Sequence, residues 1–385
     1  MIMALDLRFP NPVESSGAEV FGMKGARRLT EDIEAQRQAM IDYLDCLNYM
    51  NGNSFDDPLQ TRHAIAYMAA AMPSLAYVNP HKTREMVYNL SLVVDNIMSN
   101  HLLMRMAPFN SDHMLLVEAG LAAALYRLVG GRPAHDDFFH EAADGIFDLI
   151  KANERQQHVA GVDTTRGRFE VMPNAMALLV LNIHDRVFGT RYAAVEDDVL
   201  TSLVEKLWDP KSGLFFESFQ TGSIGYANES VNPRSSWHTS VLRPNVNGLA
   251  IAFMNIFDPT GCAHAWERYK ELFLPSLLEI SAEAVAFGVG SSFTTQLGPG
   301  SEDVLAAMLA AREMQDLETF DALQAHLFDI GKPHLWEGHL FFTEFGEQEH
   351  MIGHFALFAR AHAGWGKLLS HPWEDYYDYD FNEVR

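Results

Sequence analysis

The sequence predicts an all-α toroid, one layer of helices wrapped by another. Three observations lead there. Apolar residues recur at a helical period along nearly the whole chain, no alternating β-branched run recurs often enough to build a large sheet, and several helical segments are apolar on every side. MLLVEAGLAAALYRLV (114–129) and NAMALLVLNI (174–183) have no polar face, so other helices must enclose them. An inner ring inside an outer ring provides that enclosure.

The elements follow in order. A first helix is expected over Asp32–Met50, with Ile33, Met40, Leu44 and Leu47 on its apolar stripe, and Asn51-Gly52-Asn53 stops it. His63–Tyr77 and Thr83–Leu103 come next, then Met114–Val129, closed by Gly130-Gly131. His135–Ala152, Asn174–Phe188, Ala193–Leu207, Asn247–Phe257, His264–Leu278, Glu302–Arg312, Glu318–Ile330 and Met351–Leu369 complete about twelve helices. LWDPKSGLFFESF and FGVGSSFTTQLGPG (287–300) read as long inter-helix excursions with short hairpins. Neither an exact repeat nor a Ser- or Pro-rich linker marks a boundary, so residues 31–372 are expected to form one barrel, with an extension at 1–30 and an acidic, aromatic tail at 373–385.

Composition narrows the function. The 385 residues carry a formal charge of −23, and no Lys/Arg cluster offsets it, which argues against nucleic acid, anionic membrane and polyanionic substrates. Hydrophobic residues are 48% of the chain, enough to exclude intrinsic disorder. Cys46 and Cys262 are the only cysteines, too few for a disulfide framework or a Cys-based zinc site, and they suit a reducing cytoplasm. The start lacks the charged and apolar regions of a signal peptide, and the longest nearly uncharged run (64–79) is too short to span a bilayer. A cytoplasmic protein is the expectation.

Glu118 is the most informative residue, because Leu, Val, Ala and Met surround it and no Lys or Arg lies at i±3 or i±4. Such a carboxyl is either protonated or aimed at a polar cavity, and a general acid needs that environment; the other reading is a buried Glu satisfied by a distant backbone group or Arg. Met114, one turn earlier, is either core filler or pocket wall. Asp45 lies at the edge of the first amphipathic stripe, as a solvated or an inward Asp, and His63 follows Asp56-Asp57 as a cap or a catalyst. In EFGEQEHMIGH (344–354) His350 and His354 stand at i, i+4, but no H-E-x-x-H occurs and no metal is expected. No G-x-G-x-x-G, P-loop or G-x-S-x-G is present, and no cofactor is expected.

YMAAAMPSLAYVNP, LYRLVGG, HDRVFGTRYAA, LWDPKSGLFF, AAREMQDLETFDALQAHL and RAHAGWGKLL together resemble the linalool dehydratase/isomerase family in order and spacing, over about 33–372. The resemblance implies an (α/α)6 barrel, a ring-shaped homo-oligomer and cofactor-free chemistry on an allylic alcohol in a buried apolar pocket. It places the family's catalytic aspartate on Asp45 and the pocket methionine on Met114. Glu118 falls where the family has a catalytic histidine, His63 where it has a tyrosine, and Tyr49 near a second tyrosine whose own position falls near Asn51. The two family cysteines fall on Thr164 and Pro173, so the thiol chemistry is lost, with Asp163 and Glu170 close by.

The expectation is therefore a cofactor-independent lyase, isomerase or cyclase acting on a hydrophobic terpenoid or polyene. Glu118 is expected as acid, Asp45 as base or orienter of a water, and His63 as shuttle. Tyr49, Met114, Asp163, Thr164, Phe169, Glu170, Met172, Trp237 and Asn245 are expected to line the substrate pocket. The alternatives are a carbohydrate-active (α/α)6 enzyme, for which Trp237, Trp336 and Trp365 supply platforms, and a hydrophobic-ligand binder without catalysis.

Overall fold

The computed structural model describes residues 58–99, 113–165, 167–221, 237–238, 242–280, 300–336, 339–342 and 349–373. Among them the chain winds as alternating inner and outer helices. The inner ones are α1 (Pro58–Val78), α3 (His113–Leu128), α5 (Val171–Phe188), α7 (Pro244–Met254), α9 (Ser301–Glu313) and α11 (Glu349–Ala361). The outer ones are α2 (Thr83–Ser99), α4 (Asp136–Gln157), α6 (Glu196–Leu207), α8 (Pro259–Leu277), α10 (Leu317–Gly331) and α12 (Trp365–Ser370).

Each inner helix packs against the next, α1 on α3, α3 on α5, α5 on α7, α7 on α9 and α9 on α11, and α11 returns to α1. The ring is closed. The chain is an all-α (α/α)6 barrel, as the sequence predicts.

The apolar character of the inner helices now has its cause. Nearly every residue of α3 from Met114 to Leu128 is buried, as are those of α5, α7 and α9, because the outer layer covers one face and neighbouring inner helices cover the others. The outer helix α4 is amphipathic instead, burying Phe138, Phe139, Ala142, Ala143, Ile146 and Ile150. Inner neighbours approach closely where residues are small: a Cβ on Gly248 of α7 would lie 2.7 Å from the backbone of Ala306 on α9. Where the sequence suggests one helix over 351–369, the chain breaks at Gly364, whose φ of 99° favours glycine.

Connector lengths orient the barrel. Inner-to-outer links are short (79–82, 129–135, 189–195, 255–258, 314–316, 362–364), whereas outer-to-inner links are long (100–112, 158–170, 208–243, 278–300, 332–348). Long links therefore gather where the inner helices begin. Two of them pair there in a four-stranded antiparallel sheet, β1 (Asp163–Thr165), β2 (Arg168–Phe169), β5 (Phe219–Gln220) and β6 (Trp237–His238). Its register sets Asp163 opposite Phe169, Phe169 opposite Phe219, and Gln220 opposite Trp237. The excursion LWDPKSGLFF contains the expected hairpin, β3 (Trp208–Asp209) with β4 (Leu214–Phe215). A further hairpin, β7 (Pro333–Trp336) with β8 (His339–Phe342), was not anticipated. No helix among the described residues is long and apolar enough to cross a membrane.

Candidate functional site at the barrel mouth

The site is built at the starts of the inner helices, where the long connectors meet. Glu118 sits five residues into α3 and is 3% exposed. It interacts electrostatically with the Tyr67 phenol of α1, as does Glu302 of α9. Burial first, then the Glu302 and Glu118 carboxylates, push the Tyr67 hydroxyl well above the usual tyrosine range. The helices α1 and α9 are not ring neighbours, because α11 lies between them. Tyr67 thus feels carboxylates from two inner helices that are not ring neighbours, α3 and α9. The Tyr67 ring also stacks on Phe355 of α11, centroids 4.3 Å apart and planes within 9°.

Above them runs a chain of charges. Arg168 on β2 donates through one nitrogen, Nη2, to Glu170 (2.9 Å) and Glu217 (3.4 Å), and Arg243 at the start of α7 donates to Glu217 (3.1 Å). Thr164 donates to Glu170 at 2.5 Å. Asp303 on α9 accepts from the backbone N–H groups of Gly300 (2.7 Å) and Asn245 (2.8 Å). Burial nevertheless raises the Asp303 carboxyl above its usual range, against the pull of those two donors and Arg243. A second cluster lies beside β1. Asp163 meets His113, the first residue of α3, and accepts from Asn153 Nδ2 (2.9 Å) and the Gly167 N–H (2.8 Å).

Of the residues expected from sequence, the structure brings Glu118, Met114, Asp163, Thr164, Glu170 and Asn245 to this end of the barrel. Asn245 is used locally, its Oδ1 accepting from the Val246 N–H at 2.8 Å. Phe169, on β2, is 1% exposed and lies near Gly161 and Asn174. Met172 is half-buried against the core. Trp365 is no platform for a ligand, because it is wholly buried at the other end of the barrel. Asp45 and Tyr49 lie outside the described residues, as do the side chains of His63, Trp237 and Trp336. His354 is buried on α11, and among the described residues no three His, Cys, Asp or Glu side chains group as a metal ion requires.

Sequence reasoning missed Tyr67, His113, Arg168, Glu217, Arg243, Glu302 and Asp303. One signal was available. Polar residues in the first turn of an apolar inner helix, next to a long connector, belong to the mouth by topology, and His113, Arg243, Glu302 and Asp303 all satisfy that rule.

The fold and the site define the class as an (α/α)6 barrel with a polar, carboxylate-rich mouth. No family's sequence profile matches the chain. Among solved structures, an α-1,6-mannanase from Salegentibacter sp. HEL1_6 is similar over 84% of this chain and 99% of its own, at 14% identity and a TM-score of 0.49. An inactive variant of that enzyme in complex with α-1,6-mannotriose is similar over 84% and 99%, at 13% identity and a TM-score of 0.46. The Lin0763 protein from Listeria innocua is similar over 80% and 86%, at 10% identity and a TM-score of 0.48.

These findings correct the reading drawn from resemblance. The similar structures include α-1,6-mannanases, which are glycoside hydrolases, and one of them holds a mannooligosaccharide. Membership of the linalool dehydratase/isomerase family is withdrawn, and with it the lyase, isomerase or cyclase reaction, the terpenoid or polyene substrate, and the ring-shaped assembly that rested on the family alone. The resembling segments have a structural explanation. HDRVFGTRYAA is the turn after α5, where Gly189 takes φ 68° and Asp185 accepts from the N–H groups of Tyr192 and Ala193. LWDPKSGLFF is the β3–β4 hairpin, turned at Gly213 with φ 72°. Such segments specify barrel corners, and corners carry fold rather than reaction.

Proposed function

We propose that this barrel is a carbohydrate-active hydrolase that takes an uncharged oligosaccharide at the mouth, with Glu118 and Glu302 as its working carboxyl groups. The observation that supports the reading is that these two carboxylates, on inner helices that are not ring neighbours, both act electrostatically on the buried Tyr67 phenol. Glycoside hydrolysis needs two carboxyl groups about one sugar apart, one to protonate the leaving oxygen and one to balance the positive charge that grows at the anomeric carbon. The stacked Tyr67–Phe355 pair sets an aromatic surface beside them.

The rim supports a sugar over a hydrophobic ligand. Arg168, Glu170, Thr164, Glu217, Arg243 and Asp303 present donors and acceptors that an apolar molecule would strip of water without replacement, whereas a polyhydroxylated one replaces each bond. The chain charge of −23 disfavours uronates and sulfated glycans.

The test is release of reducing ends from a panel of neutral oligosaccharides of different linkage and sugar, with α-1,6-mannotriose and α-1,6-mannotetraose as first probes. Cleavage of at least one, lost in both Glu118→Gln and Glu302→Gln, upholds the reading. No cleavage across the panel, or undiminished cleavage in the double variant, overturns it.

A further inference from the structure

We propose that Glu170 and Arg243 are the substrate-contacting residues of one saccharide subsite at the barrel mouth, and that Asn174 and Asn247 are their positioning residues. The ligand rests on the carbohydrate reading above; the positioning does not.

The two asparagines make the same bonds in successive turns of the barrel. Each is the fourth residue of an inner helix, Asn174 of α5 and Asn247 of α7, and both are wholly buried. A buried primary amide has an acceptor and two donors to satisfy. Asn174 Oδ1 accepts from the Val162 N–H at 2.6 Å, and its Nδ2 donates to Val162 O (3.0 Å) and Glu170 O (2.7 Å). Asn247 Oδ1 accepts from the Phe215 N–H at 2.7 Å, and its Nδ2 donates to Phe215 O (3.0 Å) and Arg243 O (3.1 Å). Each amide thus grips both backbone groups of one connector residue and the carbonyl of the residue that caps its own helix. The two helices also share a sequence frame, Asn-x-x-Ala-x-x-x-x-Asn-Ile, at 174–183 and 247–256.

The side chains held by these clamps correspond too. Two residues beyond each gripped connector residue stands a side chain bonded to the helix cap. Thr164 donates to Glu170 at 2.5 Å, and Glu217 accepts from Arg243 Nε at 3.1 Å. Arg168 joins the halves, reaching Glu170 and Glu217 through Nη2. Asn245, two residues after Arg243, donates its N–H to Asp303 at 2.8 Å, which ties the second half to the residue that follows Glu302.

The chemistry of the pair selects the ligand. The Glu170 and Arg243 side chains remain 27% and 26% exposed, so their partners do not seal them from a ligand. Arg243 spends its inner nitrogen on Glu217, which leaves the outer Nη groups for an acceptor, and Glu170 offers carboxylate lone pairs to a donor. Guanidinium groups of Arg168 and Arg243 balance the carboxylates of Glu170 and Glu217, within a chain of −23. A charge-balanced network suits a neutral ligand whose groups both donate and accept, as sugar hydroxyls do.

Kinetics and amide exchange on the full chain test this. On whichever panel oligosaccharide the wild type cleaves fastest, Glu170→Gln and Arg243→Lys should each raise KM about tenfold with kcat within about threefold. Asn174→Ala and Asn247→Ala should show the same split. The double variant Asn174→Ala/Glu170→Gln should have no higher KM than the weaker-binding single variant, because Asn174 acts through Glu170. The Val162 and Phe215 amides should exchange slowly in the wild type. Asn174→Ala should speed Val162 about a hundredfold and leave Phe215 protected, and Asn247→Ala should do the reverse. A KM within about twofold of wild type in either Glu170→Gln or Arg243→Lys overturns the subsite while the carbohydrate reading stands. Fast exchange of either amide in the wild type overturns the positioning, a result that needs no asparagine variant to fold. Multiplied KM effects in the double variant, or release of both amides by one substitution, overturn it as well. If the wild type cleaves nothing, the ligand falls with the carbohydrate reading, and the exchange pattern alone decides the positioning.

Discussion

Glu313 and His362, both shut away from solvent, share a 2.6 Å hydrogen bond at the end of the barrel opposite the candidate site. Glu313 closes α9, and its two oxygens also accept from Asn255 Nδ2 (3.0 Å) and the Trp365 N–H (3.0 Å), tying the ends of α7, α9 and α11 to the start of α12. Burial acts to raise the Glu313 carboxyl, but His362, Asn255 and Trp365 overcome it and hold the group below its usual range. A carboxyl lowered by folding contributes stability that is full above its unfolded pKa and is lost as pH falls through the folded one. Glu313→Gln should therefore destabilise the barrel by about 3 kcal/mol at pH 7, with the gap to wild type closing in the acid range. Urea unfolding at pH 7 and pH 3.5 measures both.

His184 supplies a second pH effect. Wholly buried on α5, its Nδ1 faces Thr190 Oγ1 at 2.8 Å and its Nε2 faces His140 Nδ1 at 2.8 Å. Thr190 gives its proton to Asp185, so His184 Nδ1 donates to Thr190, and Nε2 accepts from His140. Burial first, then His140, lowers the His184 pKa to about 4. A neutral buried histidine of this kind contributes stability at neutral pH that is lost between about 6.5 and about 4, as the unfolded chain takes up a proton the folded one refuses. His184→Asn keeps a donor for Thr190 and should remove roughly 2 kcal/mol of that acid sensitivity. Unfolding free energies of both proteins at pH 7.5 and 4.5 report it.

Gly248 tests the ring itself. A Cβ at this position meets the Ala306 backbone at 2.7–2.8 Å, and backbone cannot step aside cheaply. Gly248→Ala should cost about 2 kcal/mol despite the better helix propensity of alanine, and Gly366→Ala, whose Cβ would have 3.6 Å to Ile256, should cost far less. Thermal melting of the two variants compares them.

The barrel was legible in the sequence because enclosure leaves a mark on composition. The helix 113–128 buries Met114 through Tyr126 without a break, and only a doubly covered helix tolerates that pattern. The helix starts were read late at 244, 259 and 349, because Pro244 and Pro259 and the polar first turn of α11 sit before the apolar period begins. The site was half legible. Glu118 stood out because its neighbours in sequence are apolar, whereas Glu302 sits beside Asp303 in SEDVL and looks like an ordinary acidic first turn. Glu302 acts on Tyr67 from a helix that is not its ring neighbour, and no local pattern encodes that relation. The reaction is not legible in segments such as HDRVFGTRYAA, because their residues build a corner, with Asp185 accepting from the N–H groups of Tyr192 and Ala193.

Glu302→Gln should keep the fold while cutting turnover by about a thousandfold, because it removes a group used in the bond-breaking step and leaves a near-isosteric amide. Such a variant holds its substrate uncleaved. The crystal structure of Glu302→Gln soaked with the oligosaccharide that the wild type cleaves is the decisive measurement. A sugar ring lying against Tyr67, with its glycosidic oxygen within hydrogen-bonding distance of Glu118 or residue 302, is the predicted result. A saccharide bound elsewhere on the barrel, with Tyr67 and Glu118 untouched, would contradict the account.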